Sequence, residues 1–115
     1  MILSPFAPLG NTVLLAANAS APTGIQAPVS TGLGTQQYQV ANTGTQIVYL
    51  SYANSAAGAQ SNAVIPTGTG ASATTVIPLL PNTVAIYTFP AGSYFSGITP
   101  ASGATNVMIT PGEGA

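Results

Sequence analysis

Glycine or proline interrupts this chain so often that a long helix has nowhere to form. Thirteen glycines and ten prolines are spread over 115 residues. Both residue types break helices and mark turns. The runs between them are short and rich in Val, Ile, Thr and Tyr, which suit a pleated, half-buried surface. No window carries apolar residues at i, i+3, i+4 and i+7 among helix formers. The chain therefore reads as all-β.

Residues 1–11 read as an extended N-terminal arm carrying Ile2, Leu3, Phe6 and Leu9, and 12–115 as one domain. Strands are expected at 12–17, 25–30, 35–41, 45–53, 74–80, 83–89, 94–99 and 104–110. Pro28 and Pro78 cannot donate to a ladder, so 25–30 belongs at an edge and 74–80 at an edge or bulge. Within 35–41, Tyr38 and Val40 face inward and Gln37 and Gln39 outward. Asn42-Thr43-Gly44 is a tight hairpin signal leading into the next strand. Strand 45–53 is apolar on both faces, which makes it central, and 83–89 is apolar on both faces too. Residues 54–63 and 66–73 read as loops of small and polar residues. About eight short antiparallel strands at this spacing make a small β-sandwich, jelly-roll or Ig-like. Choosing between the two requires knowing which strands cross between sheets.

Charge is the second constraint. An ordinary soluble domain draws about a quarter of its residues from Asp, Glu, Lys and Arg. Here Glu113 is the only one. With mean hydropathy of +0.45 and 46% hydrophobic residues, the chain lacks the low hydrophobicity and high charge of disordered sequences. Near-zero net charge promotes association, so the composition fits a subunit of an assembly. Sheet edges are usually guarded by charge. This chain must guard its edges with Pro28, Pro66 and Pro78, or pair them with another chain.

The same count excludes whole classes of function. General acid–base catalysis draws on His, Asp, Glu, Lys, Tyr or Cys, and only Glu113 and five tyrosines are present. A serine nucleophile has no His or Lys to activate it. Metal sites want His, Cys or several carboxylates. The Gly-rich stretch Thr67-Gly68-Thr69-Gly70 lacks the lysine of a phosphate loop. Without Lys or Arg, no counterion release drives nucleic-acid binding, and nothing attracts anionic lipid. The chain reads as a non-enzyme with no cofactor, metal, nucleic-acid, membrane or small-molecule partner. The opening MILSPFAPLG lacks a basic region, so no export signal is expected. Asn18-Ala19-Ser20 is a glycosylation triplet of the kind that arises by chance.

What remains is neutral recognition. Burying apolar area is worth roughly 25 cal/mol per Å² before costs. Tyrosine brings area plus a polar tip. The expected partner-binding residues are Ile2, Leu3, Phe6 and Leu9 of the arm, with Tyr49, Tyr52, Tyr87 and Tyr94. The competing reading puts each tyrosine in its own core and folds the arm back onto its own domain.

Two stretches carry a resemblance. One runs Pro90-Ala91-Gly92-Ser93-Tyr94-Phe95-Ser96-Gly97-Ile98 and continues to Thr105-Asn106-Val107-Met108-Ile109-Thr110-Pro111-Gly112-Glu113-Gly114. The other is Val40-Ala41-Asn42-Thr43-Gly44-Thr45 with Ile47-Val48-Tyr49-Leu50. Together, over residues 35–114, they resemble the small β-sandwich proteins of tailed bacteriophages that decorate or cement the capsid exterior. The resemblance implies a structural virion protein, assembled in the host cytoplasm. It would bind the outer surface of the major capsid protein lattice, with copies of itself as dimers or trimers. That family does not require so little charge, so a tail or fibre position stays open beside the head. The alternative function is a fibre or adhesin module that recognises carbohydrate through Tyr, Asn and Gln. Ice binding would need Thr-x-Thr at a fixed period, and Thr43-Gly-Thr45 and Thr67-Gly-Thr69 do not supply it.

Overall fold

A computed structural model describes residues 6–28 and 34–113. It is a two-sheet β-sandwich with one short helix. The elements run β1 (Ala7–Pro8), β2 (Val13–Ala17), β3 (Ile25–Gln26), β4 (Thr35–Asn42), β5 (Val48–Ala53), α1 (Ala56–Asn62), β6 (Ile77–Leu79), β7 (Thr83–Pro90), β8 (Tyr94–Ile98) and β9 (Thr105–Glu113). In the first sheet β1 and β2 lie end to end along one side of β9, followed by β4 and then β7. The second sheet has the order β3-β8-β5-β6. All pairings within the sheets are antiparallel.

The connections explain why turn signals misled on one point. Apart from β1 to β2 and β5 to β6, every link crosses from one sheet to the other. Asn42-Thr43-Gly44 is therefore not a hairpin. It carries the chain from β4 in the first sheet to β5 in the second. Asn42 is buried at this crossing. Its Nδ2 donates to the carbonyls of Gln46 and Leu79, and its Oδ1 accepts from the Gly44 amide. The bond to Leu79 ties β4 to β6 in the opposite sheet.

The core lies between the sheets. Leu15, Tyr38, Val40, Val48, Leu50, Leu79, Phe89, Phe95, Val107 and Ile109 are buried there, with Tyr52 and Tyr87 packed at its margin. Tyr38 meets Phe95 edge-on at 5.1 Å between ring centroids, and Phe89 meets Phe95 likewise at 5.2 Å. Such pairs add about 1 kcal/mol beyond the area they bury. Alternation puts Tyr38 and Val40 inward, as the pattern of 35–41 requires. Strand β5 is central in its sheet, as its two apolar faces suggest, while β3 and β6 are edges near Pro28 and at Pro78. Strand β7, apolar on both faces, is nonetheless an edge.

The helix α1 occupies residues that read as loop. Ala56, Ala57 and Ala59 have the highest helix propensity. Ser55 caps the N-terminus by accepting from the Gly58 amide at 3.0 Å. Small side chains gave no apolar stripe to reveal it. At the other turns, Gly92 has φ 81° and Asn82 φ 57°, left-handed values that glycine and asparagine tolerate best.

Candidate interaction surface

Each sheet has one face in the core and one turned outward, and the two outward faces differ. On the second sheet Ser51 and Ser96 stand opposite each other and point away from the core. Both are fully buried. Ser51 Oγ donates to the Ala59 carbonyl of α1 at 2.6 Å, and Ser96 Oγ donates to the Pro22 carbonyl at 2.7 Å. Helix α1 and the chain around Pro22 thus cover this face. Gln60 Nε2 joins those two covers by donating to the Ala21 carbonyl.

Among the described residues the outward face of the first sheet has no such cover. Strand register places Leu14 opposite Met108, Met108 opposite Ala41, and Ala41 opposite Val84. This row crosses all four strands, and adjacent strands are about 4.8 Å apart, so its ends are about 14 Å apart. Leu14 is 54% exposed, Met108 43% and Val84 61%. The next row is Thr110, Gln39 and Ile86, with Thr12 bonded to Thr110 through their hydroxyls. No charged side chain lies in either row. Glu113 sits at the far end of β9, opposite Ala7.

The expected partner-binding residues do not converge. Ile2 and Leu3 lie outside the described residues. Phe6 is half-buried against Gly112, and the Leu9 amide donates to the Pro111 carbonyl at 2.9 Å. The described part of the arm therefore lies on its own domain, with the Leu9 side chain exposed. Tyr52 and Tyr87 turn inward onto the core. Tyr49 and Tyr94 lie half-buried on the outward face of the second sheet. The exposed row of the first sheet contains none of them. In the sequence, Val13-Leu14-Leu15 is apolar at every position, so alternation alone did not say which residue faces out.

Chemistry beyond contact is sparse. Among the described residues no three His, Cys, Asp or Glu side chains group as metal ligands. Tyr38 is wholly buried, and its hydroxyl finds no hydrogen-bond partner among them. Burial pushes that hydroxyl above the ordinary tyrosine pKa, with the nearby Gly92 amide pulling weakly the other way. A cleft of about 250 Å³ opens between Tyr52, Ala53, Asn54 and the turn from Pro90 to Ser93. Ser93 Oγ there is already committed to the Pro90 carbonyl at 2.6 Å. Comparison with protein-family models, with curated proteins and with solved structures finds no match.

Proposed function

We propose that this chain is a non-enzymatic structural subunit that attaches to a larger assembly through the bare outward face of its first sheet. One observation carries the reading: Leu14, Met108 and Val84 stand exposed in one uncharged row, while the opposite face of the sandwich is covered by the chain itself. Exposed apolar groups gathered in one patch mark interaction sites. The partner must present a neutral, apolar surface, because the row offers no charge to complement.

The assembly we propose is a tailed-phage capsid, with the chain on its exterior as a decoration or cement protein. Support for that choice is the turn-and-strand resemblance of residues 35–114. Quantitative mass spectrometry of purified particles that carry the gene tests it. Tens to hundreds of copies per particle are expected, in line with lattice decoration. A handful of copies would move the chain to a tail or fibre position, and none would remove it from the virion.

Carbohydrate binding is the second reading, and the cleft at Tyr52 and Asn54 is its site. A sugar needs several free donors and acceptors. With Ser93 Oγ already committed, the Tyr52 hydroxyl and the Asn54 amide are the remaining polar side-chain groups of the lining. The sheet face is the better supported surface. A glycan array with purified protein separates the two readings.

A further inference from the structure

Among the described residues four strand edges border the two sheets, and three of them are short or interrupted. Strand β3 is two residues long and ends two positions before Pro28. Strand β6 has three residues with Pro78 in the middle. Strand β2 has five residues, and its edge ends where the next residue, Asn18, bridges to Ile98 of the other sheet and accepts from the Thr99 amide at 3.1 Å. Strand β7 differs from all of these. It is eight residues long, pairs with β4 in one unbroken register from Thr35–Pro90 to Asn42–Thr83, and has no bulge. It has no charge, and its only proline is its last residue. No strand among the described residues pairs with its far side. A long, unbulged, uncharged edge with unpaired backbone groups is a template for another strand.

We infer that β7 pairs antiparallel with β7 of a second copy, about a two-fold axis through Ile86. This rests on reading the chain as an assembling subunit and assigns the surface by which copies join. The second copy is the occupant for three reasons. Two uncharged edges approach without repulsion, and the chain's one carboxylate side chain is two strands away on β9. A two-fold perpendicular to the sheet keeps inward residues opposite inward residues. Among the described residues each copy has one long bare edge, so pairing through it closes at two and does not propagate into a fibre.

The same symmetry fixes the register. Positions paired across the axis must lie on the same face, so their numbers sum to an even value. Centring on Ile86 pairs the whole run from Thr83 to Phe89 and leaves Pro90 outside. Val84 then faces the partner copy's Thr88 on the outward side. On the inward side Ala85 faces Tyr87 and Thr83 faces Phe89. Ile86 meets its own counterpart. Opposite pairs of this kind, aromatic or β-branched, are those that stabilise sheets.

Two experiments on the full chain test this. Sedimentation equilibrium of the wild type at micromolar concentration is expected to give twice the chain mass of 11.3 kDa. Ile86→Lys places like charges directly opposite on the axis and is expected to return the mass to that of one chain. The protein has no cysteine, so Ile86→Cys with a short bismaleimide reports only contact between copies. It is expected to yield a linked dimer, whereas Leu14→Cys, at the far side of the same sheet, is not. A wild type that sediments as a monomer, or equal linking at both positions, overturns the proposal. Because Ile86 shares the outward face with Val84, its Lys variant is read for mass alone, and the two readings are separated with wild type. A dimer that does not pellet with particles overturns the sheet-face reading and leaves this edge standing, whereas a monomer that pellets does the reverse.

Discussion

Leu14 and Val84 stand at opposite ends of one residue row across the first sheet, joined through Met108 and Ala41. Both are more than half exposed. Burying a side chain of this kind is worth about 2 kcal/mol, and within this chain neither gains it. Beside Leu14, Leu15 takes a core position and Val13 packs against the core instead. The row thus holds apolar area that folding leaves unused and a partner surface can use.

Attachment through that row should resist salt. Ionic strength screens exposed charge pairs, with a Debye length of about 3 Å at 1 M. A neutral interface has none to lose. Washing particles with about 1 M NaCl should leave the bound protein in place, as read by immunoblot of pellet and wash. Release at moderate salt would show that charge on the partner matters.

Tyr38 makes a second prediction, on pH. Its hydroxyl is buried, with the Gly92 amide nearby but no hydrogen bond of normal geometry among the described residues, and burial raises its pKa. Below the ordinary value of about 10, folded and unfolded chains both keep the phenol neutral and its contribution is intact. As pH rises past that point the unfolded chain ionises first, and stability falls until the folded phenol also loses its proton. Tyr38→Phe removes an unsatisfied polar group, so it should leave stability unchanged or raise it by about 1 kcal/mol at pH 7. It should also flatten the alkaline decline. Urea melts at pH 7 and in the alkaline range measure both effects, and a clear loss at pH 7 would mean the hydroxyl has a partner.

Asn42 should be among the costliest polar residues to remove. Its side chain satisfies the Gln46 and Leu79 carbonyls and the Gly44 amide. Each buried group left unpaired costs about 1–3 kcal/mol, and water will reach some of them. Asn42→Ala should therefore lose about 3 kcal/mol in a urea melt. A loss below about 1 kcal/mol would show that the crossing between sheets does not depend on this side chain.

Gly97 should resist even one added methyl. It is buried between the sheets, and a Cβ there would come within 2.9 Å of Val48 Cγ1 and 3.3 Å of Ala17 Cβ. Both are core neighbours with little room to move. Gly97→Ala should cost about 1–3 kcal/mol through overpacking, measured by thermal melting. A neutral result would mean β5 and β8 have slack.

Much of the fold was legible because it depends on local signals. Alternation oriented Tyr38 and Val40, and proline marked β3 and β6 as edges. What depended on long-range pairing was not legible. Asn42-Thr43-Gly44 has hairpin chemistry, yet the strands it joins pair in different sheets. Ser55 capping a run of alanines made a helix with no apolar stripe. The expected tyrosine anchors scattered to the core and to the opposite face, because strand register decides which side chain shares a surface with which. For the same reason Leu14, Met108 and Val84, 94 positions apart at the extremes of Leu14 and Met108, came together unannounced.

Co-sedimentation with particles that lack the gene tests the central claim most directly. Wild-type protein and a Leu14→Lys, Met108→Lys variant are added to such particles and pelleted. Both sites are exposed, so the variant should fold with a stability within about 0.5 kcal/mol per site of wild type, verified by thermal melting. The account predicts that wild type pellets with the particles and the folded variant stays in the supernatant. A folded variant that pellets as fully as wild type, or a wild type that never pellets, would contradict it.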